Sequence, residues 1–121
     1  MKKILLIEDE PLIQKSLQKL LEKRGARVCV ESTGKTAIEK ILKNEYDTII
    51  CDLMLQDITG FDVIEESKKR YSLNEIAVKF IIITAYTSDQ TLQKASNYGC
   101  RVLGKPFDNI NDALNIFMGE N

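Results

Sequence analysis

The chain has 121 residues, of which 44% are hydrophobic, and this is enough for one globular domain with a full core but too little for two. Its 17 basic and 18 acidic residues are interspersed and give a formal net charge of -1, which argues against direct binding to nucleic acid or to an anionic membrane surface. The apolar run at residues 4–7 is too short for a signal or transmembrane segment, so we expect a soluble cytoplasmic protein.

Short apolar runs alternate with helical patterns of ten or more residues, which is typical of repeated βα units around a parallel sheet. The predicted strands are residues 2–7, 27–30, 48–51, 79–83 and 101–103. The predicted helices carry apolar stripes at Ile13, Leu17, Leu20 and Leu21; at Ala37, Ile38, Ile41 and Leu42; at Phe61, Ile64 and Tyr71; at Leu92 and Ala95; and at Ile110, Ala113, Leu114 and Phe117. The pattern predicts an α/β fold.

Several residues mark where the helices begin and end. Gly25 is a typical C-terminal stop for the first helix, and Ser32 or Thr33 would cap the second. Asp108 is the predicted N-cap of the fifth helix. Residues 72–77, before the fourth strand, read as a somewhat long loop.

Cysteine and histidine usage limits the chemistry of the chain. Cys29, Cys51 and Cys100 are an odd number without metal-ligand spacing, and the chain has no histidine to complete a zinc set. We therefore expect reduced, packed thiols. The absence of histidine also excludes a catalytic triad and a histidine general base.

Polar residues follow four of the five predicted strands, where ligands bind in open parallel α/β sheets. Asp52 is the most unusual of them, because it interrupts the apolar run IICDLML and a charge there is costly unless it is paired or coordinated. The residues at these strand ends are Glu8, Asp9 and Glu10; Asp52; Thr84 and Ala85; and Lys105 with Pro106.

These groups together predict phosphoryl-transfer chemistry. Glu8, Asp9 and Asp52 would crowd three carboxylates, which favours a bound cation, and oxygen ligands favour Mg²⁺ or Mn²⁺ over Zn²⁺. Lys105 could neutralise a carboxylate or a phosphoryl oxygen. Asp52 would attack phosphorus to give an aspartyl phosphate, and Thr84 could donate its hydroxyl to the phosphoryl group.

Each of these features alone has an ordinary structural explanation. An acid pair after a strand suits a helix N-terminus, a threonine there suits a turn, and Lys-Pro suits a surface turn. Four matches at four strand ends, in one order, favour a functional site.

With these residues in place, the chain resembles the receiver domains of bacterial response regulators, the phosphoacceptor half of two-component signalling. The resemblance covers residues 2–118 and rests on ILLIEDEP, IICDLMLQDITGFDVI, IIITAY and GKPF. It implies a flavodoxin-like, doubly wound (βα)5 three-layer sandwich with a parallel sheet of order 2-1-3-4-5 and five helices. We expect residues 1–121 to form this single domain, with no output domain.

The resemblance also implies how the site works. Mg²⁺ would be held by Glu8, Asp9, Asp52 and the main-chain carbonyl of Met54. The phosphoryl group would come from the phosphohistidine of a sensor histidine kinase or a phosphotransfer protein. The domain would catalyse only its own phosphorylation and dephosphorylation, and would not otherwise be an enzyme.

Activation would then change the surface of the domain, according to the same resemblance. Thr84 would move toward the phosphoryl group, Lys105 would bind it, and the peptide between Lys105 and Pro106 would be cis. The surface of the fourth helix, fifth strand and fifth helix would signal to a protein partner or to a covalent output domain absent from this chain, and it allows a phosphorylation-dependent homodimer.

Three positions depart from the family pattern. Val102 stands where the family usually has the tyrosine or phenylalanine that turns inward on activation, so we expect a smaller or differently routed rearrangement, with Tyr86 as a candidate replacement. Gln56 replaces a frequent proline, and Cys51 precedes the acceptor where a small or apolar residue is common.

The resemblance also bears on how long the phosphoryl group would stay bound. Met54 and Tyr86 occupy the positions that tune dephosphorylation in the family, and their bulk predicts slow hydrolysis of the aspartyl phosphate.

Other functions fit the sequence less well. A receiver that only docks partners, without phosphorylation, is the main alternative, but it would be expected to lack a site residue. A Mg²⁺-dependent phosphohydrolase would commonly carry a second acid at the position of Met54. A flavodoxin-like FMN binder would suffer repulsion between its phosphate and the acids at residues 8–10.

Overall fold

The computed structural model describes residues 1–120. In chain order its elements are β1 (Lys3–Ile7), α1 (Pro11–Lys23), β2 (Arg27–Glu31), α2 (Gly34–Lys43), β3 (Thr48–Asp52), α3 (Gly60–Ser67), α4 (Leu73–Lys79), β4 (Phe80–Thr84), α5 (Asp89–Tyr98), β5 (Arg101–Gly104) and α6 (Ile110–Phe117). None of the helices in this part of the chain is long and apolar enough to cross a membrane.

The strands form one parallel sheet, and its order confirms the prediction. Within residues 1–120 the sheet has five strands in the order β2-β1-β3-β4-β5. β3 and β4 are buried along their whole length, whereas the edge strands β2 and β5 are only partly buried. Apolar β-branched residues suit these central strands because both faces of a parallel sheet are covered by helices.

Two hydrophobic layers cover the two faces of the sheet. Alternate strand residues point to opposite faces, so Ile4 and Leu6 lie in one core cluster and Leu5 and Ile7 in the other. The first cluster packs against α1 and α6, and the second packs against α2, α3, α4 and α5. Because the strands are parallel, their carboxyl ends lie together at one edge of the sheet, which we call the open edge.

The prediction of a loop at residues 72–77 is wrong, because this segment contains α4. The Ser72 hydroxyl accepts a hydrogen bond from Glu75 N (3.2 Å), and the Glu75 carboxylate accepts one from Ser72 N (3.1 Å). This capping box satisfies two free amides of the first turn, and Ile76 is buried against the core. Residues 1–120 therefore contain six helices instead of five, and the predicted fourth and fifth helices are α5 and α6.

Two smaller predictions about helix boundaries are also wrong, and two are confirmed. The N-cap of α6 is Asn109, whose side chain accepts from Asp112 N, and not Asp108. Tyr71 is buried but lies beyond the end of α3 at Ser67. Thr33 caps α2 as expected, and Gly25 follows α1 with a φ of 93°, a conformation that glycine adopts without strain. Cys29, Cys51 and Cys100 are free thiols.

Candidate functional site

The open edge of the sheet collects the charged residues that follow the strands. Glu8 comes one residue after β1, Asp52 is the last residue of β3, and Lys105 comes one residue after β5. β1 pairs with β3, whereas β4 lies between β3 and β5, so the long Lys105 side chain reaches past β4 to the ends of β1 and β3. The structure thus brings together side chains that are up to 97 residues apart in the sequence.

Lys105 holds the two buried acids of the site. Its Nζ donates to Glu8 Oε1 and to Asp52 Oδ2, both at 2.9 Å. Glu8 is 0% exposed and Asp52 is 5% exposed, so both carboxylates are largely withdrawn from water. The pairing with Lys105 explains how the apolar run around Asp52 tolerates a charge.

Burial and crowding perturb the protonation of this cluster. Burial raises the pKa of Glu8 from 4.5 to about 7, with a further increase from nearby Asp52 and an opposing effect of the Lys105 hydrogen bond. Burial alone would lower the pKa of Lys105, but its bonds to Glu8 and Asp52 outweigh this and the pKa is raised. The lysine is therefore charged at neutral pH, while Glu8 is close to its midpoint of titration.

The acids also fit a divalent cation. Glu8, Asp9 and Asp52 can each offer one carboxylate oxygen, and these oxygens lie within 4.8 Å of one another. Hard oxygen donors in this number suit Mg²⁺ or Mn²⁺, which keep several water ligands. Met54 lies directly beside them, because its amide donates to Asp52 Oδ1 at 3.2 Å.

Thr84 connects two loops at this edge. Its hydroxyl accepts a hydrogen bond from Tyr86 N (2.9 Å), and its carbonyl accepts one from Lys105 N (2.8 Å). Thr84 itself is fully buried at the end of β4. The peptide between Lys105 and Pro106 is cis, as the resemblance implied.

Three predicted side chains flank the charged cluster and are not part of it: those of Met54, Tyr86 and Val102. Met54 and Tyr86 are 52% and 62% exposed. Val102 lies in β5 beside Ile82 of β4 and packs against the core layer of α2 to α5. Because the Tyr86 ring points largely into solvent, it does not fill the space of an inward-turned aromatic at Val102.

Gly60, which belongs to the motif IICDLMLQDITGFDVI, lies against the end of β3 at Asp52. Gly60 N donates to Leu53 O at 2.8 Å. A Cβ on Gly60 would lie 2.9 Å from Asp52 O and 3.1 Å from Leu53 Cα, so two rigid backbone atoms occupy its place. Its φ is not positive, and the requirement for glycine is therefore this close approach.

We expect Gly60→Ala to destabilise the fold by roughly 1–3 kcal/mol, the usual cost of overpacking. The cause is the clash of the new methyl group with the backbone of Asp52 and Leu53. Urea unfolding measures the change. Gly104→Ala is the matched control, because its Cβ would meet no atom closer than Thr87 Cγ2 at 3.6 Å. Equal stability of the two variants would contradict the prediction.

The family model for the response regulator receiver domain matches residues 4–115 of the chain. The chain belongs to this family. Among its relatives, the response regulator ArlR of Staphylococcus saprophyticus is 34% identical over 109 residues, which are 89% of this chain and 47% of ArlR. The chain spans about half the length, or less, of the first curated relatives it matches.

Solved receiver domains have the same fold. The non-phosphorylated HemR receiver domain of Leptospira biflexa is 28% identical with a TM-score of 0.85, covering 98% of this chain and 92% of that one. The receiver domain of sensor histidine kinase PA1611 from Pseudomonas aeruginosa PAO1 is 26% identical with a TM-score of 0.80, covering 98% of both chains. The PA1611 domain contains a magnesium ion coordinated in its active site cleft.

Proposed function

We propose that this receiver domain accepts a phosphoryl group on Asp52 in a Mg²⁺-dependent reaction. The proposal rests above all on the buried Asp52 carboxylate, which Lys105 pairs with on one side, while Glu8 and Asp9 supply cation ligands within 4.8 Å. Family membership and the magnesium ion in the PA1611 receiver domain support it. The donor would be the phosphohistidine of a sensor histidine kinase or of a phosphotransfer protein.

The residues of the site divide the chemistry between them. Glu8, Asp9, Asp52 and the main-chain carbonyl of Met54 would hold Mg²⁺, which would supply charge neutralisation of the phosphoryl oxygens. An Asp52 oxygen attacks phosphorus and forms an O–P bond. The N–P bond of the phosphohistidine breaks, its electron pair stays on the imidazole nitrogen, and that nitrogen takes up a proton from solvent.

Lys105 and Thr84 would stabilise the product. The Lys105 ammonium already contacts Asp52 Oδ2, so it lies where it could donate to an oxygen of the transferred group. For Thr84 to donate its hydroxyl to the phosphoryl group it must move, which would disturb its hydrogen bond with Tyr86 N. This rearrangement would bias the β4–α5 loop and the surface of α5, β5 and α6. The signal would pass to a protein partner or to an output domain in a longer chain.

The direct test is intact-protein mass spectrometry after incubation with acetyl phosphate and Mg²⁺. We expect one added phosphoryl group per chain, and none when EDTA removes the metal. No adduct in a folded sample, under conditions that retain acyl phosphates, would favour the alternative of a phosphorylation-independent interaction module.

We expect Tyr86→Ala to shorten the lifetime of the aspartyl phosphate several-fold. Met54 and Tyr86 occupy the positions that tune dephosphorylation in receiver domains, and both are bulky and carry no charge to orient water, so removing the ring would admit water. The decay of the phosphorylated protein after removal of acetyl phosphate measures this. Tyr86→Phe keeps the ring and should decay like the wild type. If Tyr86→Ala decays no faster, shielding by this ring is disproved.

A further inference from the structure

The segment between β3 and α3, residues 53–59, carries Met54 and is closed at its base. Met54 and Thr59 form an isolated antiparallel bridge, and Gly60 N donates to Leu53 O at 2.8 Å. These contacts join the two ends of the 53–59 loop to each other, so its tip projects from the sheet. Leu53 N also donates to Ile83 O at 3.0 Å, so the base of the loop is attached to β4, and contacts at the tip provide a second attachment.

Asp57 makes such a contact with the N-terminus of α2. Its Oδ1 accepts a hydrogen bond from Gly34 N and its Oδ2 accepts one from Lys35 N, both at 2.9 Å. These are the first two amides of α2, which have no partner inside the helix. Burial is the largest single influence on the pKa of Asp57 and would raise it, but the backbone hydrogen bonds that the carboxylate accepts together outweigh burial and lower the pKa, so the side chain is a carboxylate at neutral pH.

A second contact reinforces this attachment. A Cβ on Gly34 would lie only 2.4 Å from Ile58 Cγ1 and 2.8 Å from Ile58 Cδ1, so Ile58 packs directly against the backbone of α2. Neighbouring residues of the loop thus bind the same helix end, one by hydrogen bonds and one by packing.

The N-terminus of α2 is in turn tied to the loop that carries Glu8. Glu8 N donates to Glu31 O at 3.1 Å, and Gln14 Nε2 donates both to Glu8 O (2.9 Å) and to Ser32 Oγ (3.3 Å). Glu31 and Ser32 directly precede the N-cap of α2 at Thr33. A continuous set of contacts therefore runs from Glu8, through the start of α2, to Asp57 and the 53–59 loop.

We infer that Asp57 is a positioning residue for the cation site: by attaching the 53–59 loop to α2, it holds Met54 at a fixed place relative to Glu8, Asp9 and Asp52. Asp57 contacts the helix and not the cation. This inference rests on the proposed function, because it requires Mg²⁺ to bind those acids and Met54. Residues that fix the place of a metal ligand affect binding without being ligands themselves, and Asp57 would do so through the backbone of its loop.

The test is calorimetric titration of the metal-free protein with MgCl₂. Asp57→Ala is expected to weaken Mg²⁺ binding several-fold, less than the roughly tenfold loss for a residue that hydrogen-bonds a metal ligand directly, because Asp57 acts through its loop. Asp57→Asn keeps one acceptor for an α2 amide and should lie between Asp57→Ala and the wild type. Gly34→Ala adds no charge but displaces Ile58, and it should weaken binding as well.

Two controls separate positioning from other effects. Ser72→Ala removes the cap of a different helix, the hydrogen bond from Glu75 N to the Ser72 hydroxyl at the start of α4, and should lower stability without changing Mg²⁺ affinity. Asp89→Asn removes an exposed acid at the start of α5, on the same edge of the sheet, and should bind Mg²⁺ like the wild type. If Asp89→Asn weakens binding as much as Asp57→Ala, the effect is electrostatic and the positioning role is overturned.

The outcomes distinguish this inference from the proposed function. If the wild type binds no Mg²⁺, the proposed function fails. If the wild type binds Mg²⁺ and a folded Asp57→Ala variant binds it equally well, the proposed function stands and the inference is overturned. Urea unfolding of each variant establishes that it is folded.

Discussion

Replacing Asp52 with asparagine is expected to abolish phosphoryl incorporation from acetyl phosphate while leaving the fold intact. The amide has no anionic oxygen with which to attack phosphorus. In metal-free buffer we expect the free energy of unfolding to be unchanged or higher. The reason is that Lys105 keeps its 2.9 Å ion pair with Glu8, and one of the crowded carboxylates has lost its charge. Intact-protein mass spectrometry measures incorporation, and urea unfolding measures stability.

Asp89→Asn is the matched control for this experiment. It makes the same chemical change at an exposed acid in the first turn of α5 and should incorporate one phosphoryl group, as the wild type does. Incorporation into Asp52→Asn at the rate of the wild type would mean that another residue accepts the group, and the proposed role of Asp52 would be lost.

In EDTA, the free energy of unfolding is expected to fall as the pH rises from about 4.5 to about 7. Burial raises the pKa of Glu8 across this range, so the folded protein keeps a proton that the unfolded chain has already released. The stability from this proton is fully present below the unfolded pKa of 4.5 and is lost as the pH passes the folded pKa of about 7. A shift of this size corresponds to on the order of 3 kcal/mol.

Urea unfolding of the wild type and of Glu8→Gln at about pH 5 and about pH 8 tests this. Other carboxylates also titrate, and hydrogen bonds lower the pKa of Glu45 and of Asp57, which opposes the effect of Glu8 at the acidic end. The difference between the two proteins isolates Glu8. Glu8→Gln should lose less stability than the wild type between the two pH values, and equal losses would contradict the assignment. Mg²⁺ should restore stability to the wild type at the higher pH, because a cation stabilises the ionised carboxylates.

The strands could be predicted from the sequence to within one residue at each end. The predicted fourth strand, residues 79–83, is Phe80–Thr84 in the structure, and the third, 48–51, is Thr48–Asp52. Strands of a covered parallel sheet consist of apolar β-branched residues on both faces, and this composition is visible without any knowledge of the neighbours.

The helix α4 could not be predicted from its apolar pattern, because it has only seven residues and little periodicity. Its signal was the sequence Ser72-Leu73-Asn74-Glu75, which has the spacing of a capping box. The sequence also could not show that Asn109, and not Asp108, is the N-cap of α6. Both side chains can accept the hydrogen bond, and the backbone direction at the start of the helix decides between them.

The acids and the lysine of the site could be predicted because each stands at the end of a strand, where the fold class alone places ligands. Asp57 could not, because its partners Gly34 and Lys35 are 23 and 22 residues away and lie on a different helix. Its carboxylate in a polar loop looks like any exposed acid until the start of α2 is seen beside it.

The sequence by itself therefore determined the fold class, the strands and the identity of the groups at the open edge of the sheet. These properties follow from local composition and from the position of each residue relative to a strand end. The tertiary structure decided that Lys105 pairs with both Glu8 and Asp52, that the pKa of Glu8 is raised to about 7, and that Asp57 attaches its loop to α2. Pairing and desolvation depend on distances between side chains from different elements, and only packing sets those distances.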